Sequence, residues 1–156
     1  MTQIAFLADN AQVIPRLADW YRGEWGPYYG VHGPGHALFD LKSRCNHDRV
    51  PIGLVAMKGQ QVQGTVALGL DEATSLEPLV IGLLVGPEYR RQGVGMLLIE
   101  SAESLAKQLG FDRIFLSTMV LDNLLRRLGW QPYGEVEFQT KEVGSIFVCD
   151  LDRHRP

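Results

Sequence analysis

The chain has only two cysteines, Cys45 and Cys149, set far apart in 156 residues. A small secreted domain held by disulfides carries more, so both thiols read as small, half-buried hydrophobes in a reducing compartment. Long hydrophobic runs are also missing. The most apolar stretch, residues 78–86, is far shorter than the ~20 residues that cross a bilayer, so no membrane partner is expected. The first residues, Met1-Thr2-Gln3-Ile4, offer neither a basic stretch nor an apolar segment behind it. No leader is expected, and the protein is expected to be cytoplasmic. There is no excess of positive charge: 15 Lys and Arg stand against 18 Asp and Glu, for a net charge of −3. Nucleic-acid binding needs a basic face and is therefore not expected. Metal-ligand spacing is absent too. His32 and His36 stand four apart, but Gly33, Pro34 and Gly35 between them break any helix, and no third ligand is evident.

What is present is an ordinary globular composition, 46% hydrophobic and 21% charged, in a length that suits a single domain over residues 1–156. Glycine is the outlier at 17 residues, about 11% where about 7% is usual. Residues 2–8 read as a first strand. Ile14, Leu17, Ala18, Tyr21 and Trp25 recur at helical spacing, with Asp9 or Asn10 as the cap and Pro15 tolerated in the first turn. Residues 23–35 hold five glycines and two prolines and read as a loop. Leu38, Leu41 and Cys45 mark a second short helix. Strands follow at 52–57 and 62–70 around a turn at 58–61, and a nearly continuous apolar strand covers 78–85. Leu98, Ala102, Leu105 and Leu109 form one face of a strong helix that ends at Gly110. Then come a strand at 113–117, a short helix from a capping Asp122 to Leu128, and strands at 133–140 and 144–151. Three strands in succession without crossover helices exclude a doubly wound nucleotide fold. The expected class is α/β, with antiparallel hairpins on a mixed sheet.

One segment carries chemistry. Arg90-Arg91-Gln92-Gly93-Val94-Gly95 lies between the apolar strand and the strong helix. Glycines at such a turn let backbone approach a ligand. The helix start behind them offers unpaired N–H groups and a positive dipole end, and two arginines add charge. This is a phosphate cradle. The P-loop ending Gly-Lys-Ser/Thr is absent, and in a dinucleotide pattern the third glycine would fall on Leu98. A nucleotide-binding enzyme is therefore disfavoured.

Residues 83–95, Leu-Leu-Val-Gly-Pro-Glu-Tyr-Arg-Arg-Gln-Gly-Val-Gly, resemble the acetyl-CoA signature of the GNAT superfamily of N-acetyltransferases. Val55-Ala56 with Gly64-Thr65, Leu116-Ser117-Thr118, and Leu128-Gly129-Trp130 resemble flanking segments of small bacterial members, as do Trp20 and Glu24-Trp25. The resemblance covers roughly residues 50–151. It implies an α/β (α+β) fold whose mixed, mostly antiparallel central sheet is flanked by about four helices. It implies acetyl-CoA as co-substrate and an amine as acceptor, and a homodimer is a common arrangement in that family. By position, Leu83, Leu84 and Val85 would lie along the pantetheine arm. Amides of Arg91, Gln92, Gly93, Val94, Gly95 and Met96 would hold the pyrophosphate, with the side chain of Arg90 or Arg91 on a phosphate oxygen. Thr118 stands where many members have a polar residue near the cofactor.

Acetyl transfer needs a neutral amine, an oxyanion contact and a route for the thiolate. The backbone N–H of Leu84 or Val85 is the expected oxyanion contact. The resemblance places the usual acid, a tyrosine, at Leu125, which cannot donate a proton; Val120 is a second departure. Tyr133 is the substitute the sequence offers. No carboxylate lies on residues 79–85, so Glu77, Asp71, Glu72 and Glu24 on flanking elements are the candidate bases, each with a surface charge as its simpler reading. Residues 23–35, with their aromatic neighbours, are expected to cover the acceptor site. A catalytically weak protein that binds coenzyme A as a sensor or partner module stands as the second reading.

Overall fold

The computed structural model describes residues 1–71, 74–138 and 141–152. Its elements are β1 (Gln3–Phe6), α1 (Ile14–Glu24), α2 (Gly26–Tyr29), α3 (Ala37–Ser43), β2 (Ile52–Lys58), β3 (Gln61–Asp71), β4 (Leu76–Val85), α4 (Val94–Gln108), β5 (Arg113–Thr118), α5 (Asp122–Arg127), β6 (Gln131–Glu137) and β7 (Val143–Asp150). The strands form one sheet in the order β1-β2-β3-β4-β5-β7-β6. Every neighbouring pair is antiparallel except β4 with β5, which is parallel because α4 carries the chain back across the sheet. The expected mixed, mostly antiparallel sheet is present, flanked by five helices where about four were expected. The extra one is α2, a single turn inside the glycine-rich stretch. Among the described residues, no helix is long and apolar enough to cross a membrane.

Two sheet faces bury different helices. Ile52, Leu54, Val66, Leu68, Val80, Ile114, Leu116 and Phe147 pack against Leu98, Ile99, Ala102 and Leu105 of α4. On the other face, Val55, Met57, Val62 and Leu84 pack against Leu17 and Tyr21 of α1 and Leu41 of α3. Each such side chain, fully buried, contributes about 1.5–3 kcal/mol of transfer free energy. A smaller cluster of Leu79, Phe115 and Ile146 shares that second face farther along the sheet. Neither cysteine forms a disulfide among the described residues; Cys149 is buried and Cys45 half-buried.

Several helix ends differ from the sequence reading. Two 3-10 turns, Leu7–Asp9 and Ala11–Val13, precede α1, and its cap residue is Val13, without a side-chain bond. Asn10 Nδ2 instead donates back to Phe6 O at 3.0 Å, and Asp9 pairs with His47 at 2.8 Å. Asp122 is the first residue of α5, not its cap. The turn before it is closed by Thr118 Oγ1, which accepts the amides of Val120 and Leu121, both at 3.0 Å. β6 begins at Gln131 and ends at Glu137, and Thr140, once its expected end, lies outside the described residues.

The feature that positions the site is an irregularity in β4. Thr65 pairs with Leu84 and Ala67 with Ile81, so two steps on β3 oppose three on β4. The extra residue bulges the strand. Gly82 stands in it at φ +62°, a left-handed conformation that favours glycine. The Tyr21 hydroxyl donates to Gly82 O at 2.8 Å and accepts from Arg44 Nη1 at 2.9 Å. A Cβ on Gly82 would stand 2.3 Å from Tyr21 Oη and 2.5 Å from Arg44 Nη1. Beyond the bulge β4 leaves β5: the two share only the rungs Leu79–Phe115 and Val80–Leu116. Residues 81–85 therefore face no strand on that side, and a gap opens.

Gly82→Ala is expected to lower stability by about 2–4 kcal/mol, from backbone strain plus the clash with Tyr21 and Arg44, measured by urea unfolding. A second expectation concerns alkaline pH. Burial pushes the Tyr21 hydroxyl above its usual value, against a smaller downward pull from Arg44. Tyr29 is also raised, first by burial and then by its bond to Asp40. Both are protonated more firmly in the folded than in the unfolded chain. Their contribution is complete below pH of about 10 and is lost as pH rises through the folded values. Unfolding free energy should fall above pH ~10, and Tyr29→Phe should make that fall shallower.

Candidate active site

The phosphate turn begins where β4 ends. Gly86 N donates to Gln63 O at 2.9 Å, and the Trp20 indole lies where a Cβ on Gly86 would go, 2.5 Å from it. A 3-10 turn, Pro87–Tyr89, then lifts the chain to Arg90. Arg91 (φ 64°) and Gly93 (φ 83°) both take left-handed conformations, which curl successive amides toward one side ahead of α4. The first amide in the helical ladder is that of Leu97, donating to Gly93 O at 3.1 Å. Those of Val94, Gly95 and Met96 precede it and have no intrahelical partner. A Cβ on Gly93 would meet nothing within 4 Å, and one on Gly95 only Val85 Cγ2 at 3.7 Å. The space over the helix start is open, and the donors around it suit a polyanion.

The two arginines divide. Arg90 is committed: Nε donates to Val85 O at 3.0 Å and Nη2 pairs with Glu24 Oε2 at 3.1 Å. Glu24, a carboxylate singled out as a base, thus ties the end of α1 to the turn. Arg91 is exposed and forms no ion pair among the described residues. Gln92 Nε2 reaches Glu88 O at 3.3 Å.

Strand alternation sorts the β4 amides. Because Gly86 N donates to β3, the antiparallel ladder turns Leu84 toward β3 as well and Val85 away from it. The Val85 carbonyl confirms the direction, since it accepts from Arg90 instead of β3. Leu83 follows Val85: both pack toward the α4 face, whereas Leu84 is buried under α1. Of the two amides expected to contact an oxyanion, Val85's faces the gap and Leu84's faces β3. Sequence alone could not separate them, because the bulge sets the parity.

The expected acid positions do not reach this gap. Leu125 is fully buried under α4, in the core. Tyr133 is half exposed and packs edge-on to Phe115, ring centroids 5.0 Å apart. Its backbone lies level with Leu116 and Ser117, and β5 and β7 stand between it and β4, so it is on the order of 10 Å to the side of that strand. The cause is strand order: β6 joins the outer edge of β7, so Tyr133 reaches β5 and no farther. Thr118 is buried beside the gap with its oxygen engaged in the α5 turn. Val120 is exposed, Glu77 is exposed near the start of β4, and Glu72 lies outside the described residues.

On the face opposite α4, the glycine-rich stretch is largely structured. Tyr21, Trp25, Tyr28 and Tyr29 form a chain of ring contacts, with Tyr21 stacked on Tyr29 at 5.4 Å. His36 Nδ1 accepts from Phe39 N at 3.2 Å and so caps α3; His32 is exposed. Among the described residues, no group of histidine, cysteine or acidic side chains is placed to hold a metal. An open hollow of about 260 Å³ lies here, lined by Asp40, Ser43, Arg44, Pro51, Leu70 and Ile81. A larger one, about 500 Å³, lies between β1 and α4, away from the gap. The sequence reading missed Gly82, Tyr21 and Arg44. A lone glycine inside an apolar strand was the available signal for the first. Nothing local marks the other two.

A model of the acetyltransferase (GNAT) family matches residues 14–130. Among solved structures, an aminoglycoside 6'-N-acetyltransferase complexed with coenzyme A superposes with a TM-score of 0.78 at 12% identity, covering 99% of each chain. The aminoglycoside 6'-N-acetyltransferase from Enterococcus faecium gives 0.77 at 13% identity and 99% of each chain. An acetyltransferase of the GNAT family from Staphylococcus aureus Mu50 gives 0.71 at 16% identity, covering 97% of this chain and 100% of that one. No curated protein sequence matches. At these identities the structures establish the fold; membership rests on the family model, which spans most of the chain and includes both the β4 bulge and the glycine turn. The chain belongs to the GNAT acetyltransferase family.

Proposed function

We propose that this protein transfers the acetyl group of acetyl-CoA to a primary amine of a small molecule or a protein, by direct attack in a ternary complex. One observation carries the reading: a single stretch of chain supplies both a strand edge without a partner, residues 83–85, and a helix start with three free amides, residues 94–96. The open space at Gly93 and Gly95 fits a pyrophosphate, and the β4 edge fits an amide-bearing arm. When bound, acetyl-CoA supplies an acetyl group activated as a thioester.

The chain's own residues divide the work as follows. Amides of Arg91, Gln92, Gly93, Val94, Gly95 and Met96 hold the pyrophosphate, with the Arg91 side chain, unpaired among the described residues, beside them. Arg90 fixes the turn through Val85 O and Glu24, and is not spent on phosphate. Leu83 and Val85 offer their outward backbone to the pantetheine arm. Val85 N–H faces the gap, where it stabilises negative charge that develops on a carbonyl oxygen. Thr118 shapes the gap's far wall through the α5 turn. The thiolate leaves without a general acid because the thiol's pKa is modest, about 8.5, and the proton lost by the attacking amine passes to solvent or to that thiolate. Holding amine and thioester together then supplies most of the rate. Leu125 favours the second reading, a weak or inactive member that binds coenzyme A. Release of free thiol from acetyl-CoA over a panel of amines separates the two: turnover supports transfer, and binding without turnover on any amine supports the module.

Arg91→Ala should weaken coenzyme A binding about tenfold, the loss of one charged contact, read by calorimetric titration. Tyr133→Phe should leave turnover within about twofold, because Tyr133 is remote from Val85. A hundredfold loss with unchanged cofactor affinity would restore it as the acid.

A further inference from the structure

The hollow on the α1–α3 face holds a group the transfer chemistry does not use. Arg44 is 8% exposed. Its guanidinium makes one side-chain hydrogen bond among the described residues, to Tyr21 Oη at 2.9 Å, and lies 5.8 Å from the Tyr21 ring centroid. It forms no ion pair among them. The guanidinium nitrogens that make no protein bond are not sealed from solvent, since no fully buried side-chain nitrogen lacks a partner among the described residues, so an anion entering the hollow can pair with them. The carboxylate on the same hollow, Asp40, is not within ion-pair distance; its Oδ2 accepts from Tyr29 Oη at 2.8 Å. The remaining lining is Ser43 with apolar Pro51, Leu70 and Ile81. Ile81 precedes the bulge, and Arg44 Nη1 lies 2.5 Å from where a Cβ on Gly82 would be. The hollow therefore sits beside the point where β4 leaves β5, on the face opposite the α4 phosphate turn.

We propose that Arg44 binds a carboxylate of the acceptor, so that the preferred substrates are amines that carry a nearby carboxylate. The proposal rests on the acetyl-transfer reading for its geometry: cofactor enters along α4, and acceptor enters from the other face. An amine with no anionic group meets Arg44 as a like charge and leaves it uncompensated. Two sources share this chemistry, a free amino acid with its α-carboxylate and a peptide with an acidic first side chain.

Matched probes test it. Alanine against alaninamide reads the first source. The dipeptide amide Asp-Ala-NH2 against Asn-Ala-NH2 reads the second. In the wild type, at least one pair should favour the carboxylate by about tenfold or more in kcat/KM counted per neutral amine, since a neighbouring carboxylate makes an amine more basic. Arg44→Met should erase that preference, while Arg44→Lys keeps part of it and coenzyme A affinity stays within about twofold. Because Arg44 also touches the bulge, the preference ratio is the deciding readout; a merely structural role would lower both members of a pair equally, and that result overturns the proposal. So does a wild type with no preference in either pair. Calorimetric titration of the same probes into the coenzyme A-loaded protein gives the ratio without turnover. Carboxylate-selective, Arg44-dependent binding without thiol release would uphold the subsite and refute the transfer reading. Thiol release without selectivity would do the reverse.

Discussion

The hydrogen bond from the Tyr21 hydroxyl to the Gly82 carbonyl holds the place where β4 carries one residue more than β3. A strand alternates faces every residue, so one extra residue reverses everything after it. Before the bulge, Leu79 and Ile81 point to the face shared by α1. After it, Leu83 and Val85 point to α4, and Leu84 takes the α1 side. The same reversal turns the Val85 amide away from β3, into the gap left by β5. Without a donor for Gly82 O, a polar group released from the ladder would be left unpaired beside the core, at a cost of about 1–3 kcal/mol. Tyr21 thus stabilises the irregularity, and the irregularity produces the site.

Electrostatics around the phosphate turn follow from the same placement. The Arg90–Glu24 pair is nearly half exposed on both sides, and such a pair contributes about 0–1 kcal/mol. Its weight is geometric. Together with Arg90 Nε on Val85 O, it binds α1, the end of β4 and the turn to one another, so that α1 locates both the bulge and the cradle. Arg91, which forms no ion pair among the described residues, then stands at the helix start, where the dipole already favours an anion. Two adjacent arginines that look equivalent in sequence have become a brace and a free charge.

Local features were legible in the sequence, and features that depend on distant packing were not. Gly93, Gly95 and the apolar run before them are contiguous, and their chemistry is that of a strand-to-helix turn wherever it occurs. Helix caps failed because the caps depend on a single residue's offset: the 3-10 turns after β1 move the start of α1 past Asp9 and Asn10, and Thr118 closes the turn where Asp122 was expected to cap. Tyr133 looked near the site because it follows α5, but β6 pairs outside β7, a topological fact that no spacing reveals. Arg44 was unremarked because an arginine after a short helix is ordinarily a solvated charge; only the approach of α1 to β4 buries it.

The positions expected to supply proton transfer are occupied otherwise: Leu125 by the core, Tyr133 by Phe115, Glu24 by Arg90. Under the proposed transfer, the acceptor then arrives neutral largely by its own acidity. A lysine amine, with a pKa of about 10.4, is neutral in roughly one molecule per thousand at pH 7.5. A chain-terminal α-amine, at about 7.7–8.0, is neutral in roughly a quarter to two fifths at the same pH. The difference exceeds a hundredfold in reactive nucleophile, on the scale of what a positioned base ordinarily contributes. If the proposed site relies on alignment and one backbone amide, it is best matched to an amine of low pKa held by a second contact. The bulge turns Val85 N–H into the gap and brings Gly82 against Tyr21 and Arg44 on the α1 face, so in the proposed transfer a single irregular residue relates the oxyanion contact to the group that would orient the amine.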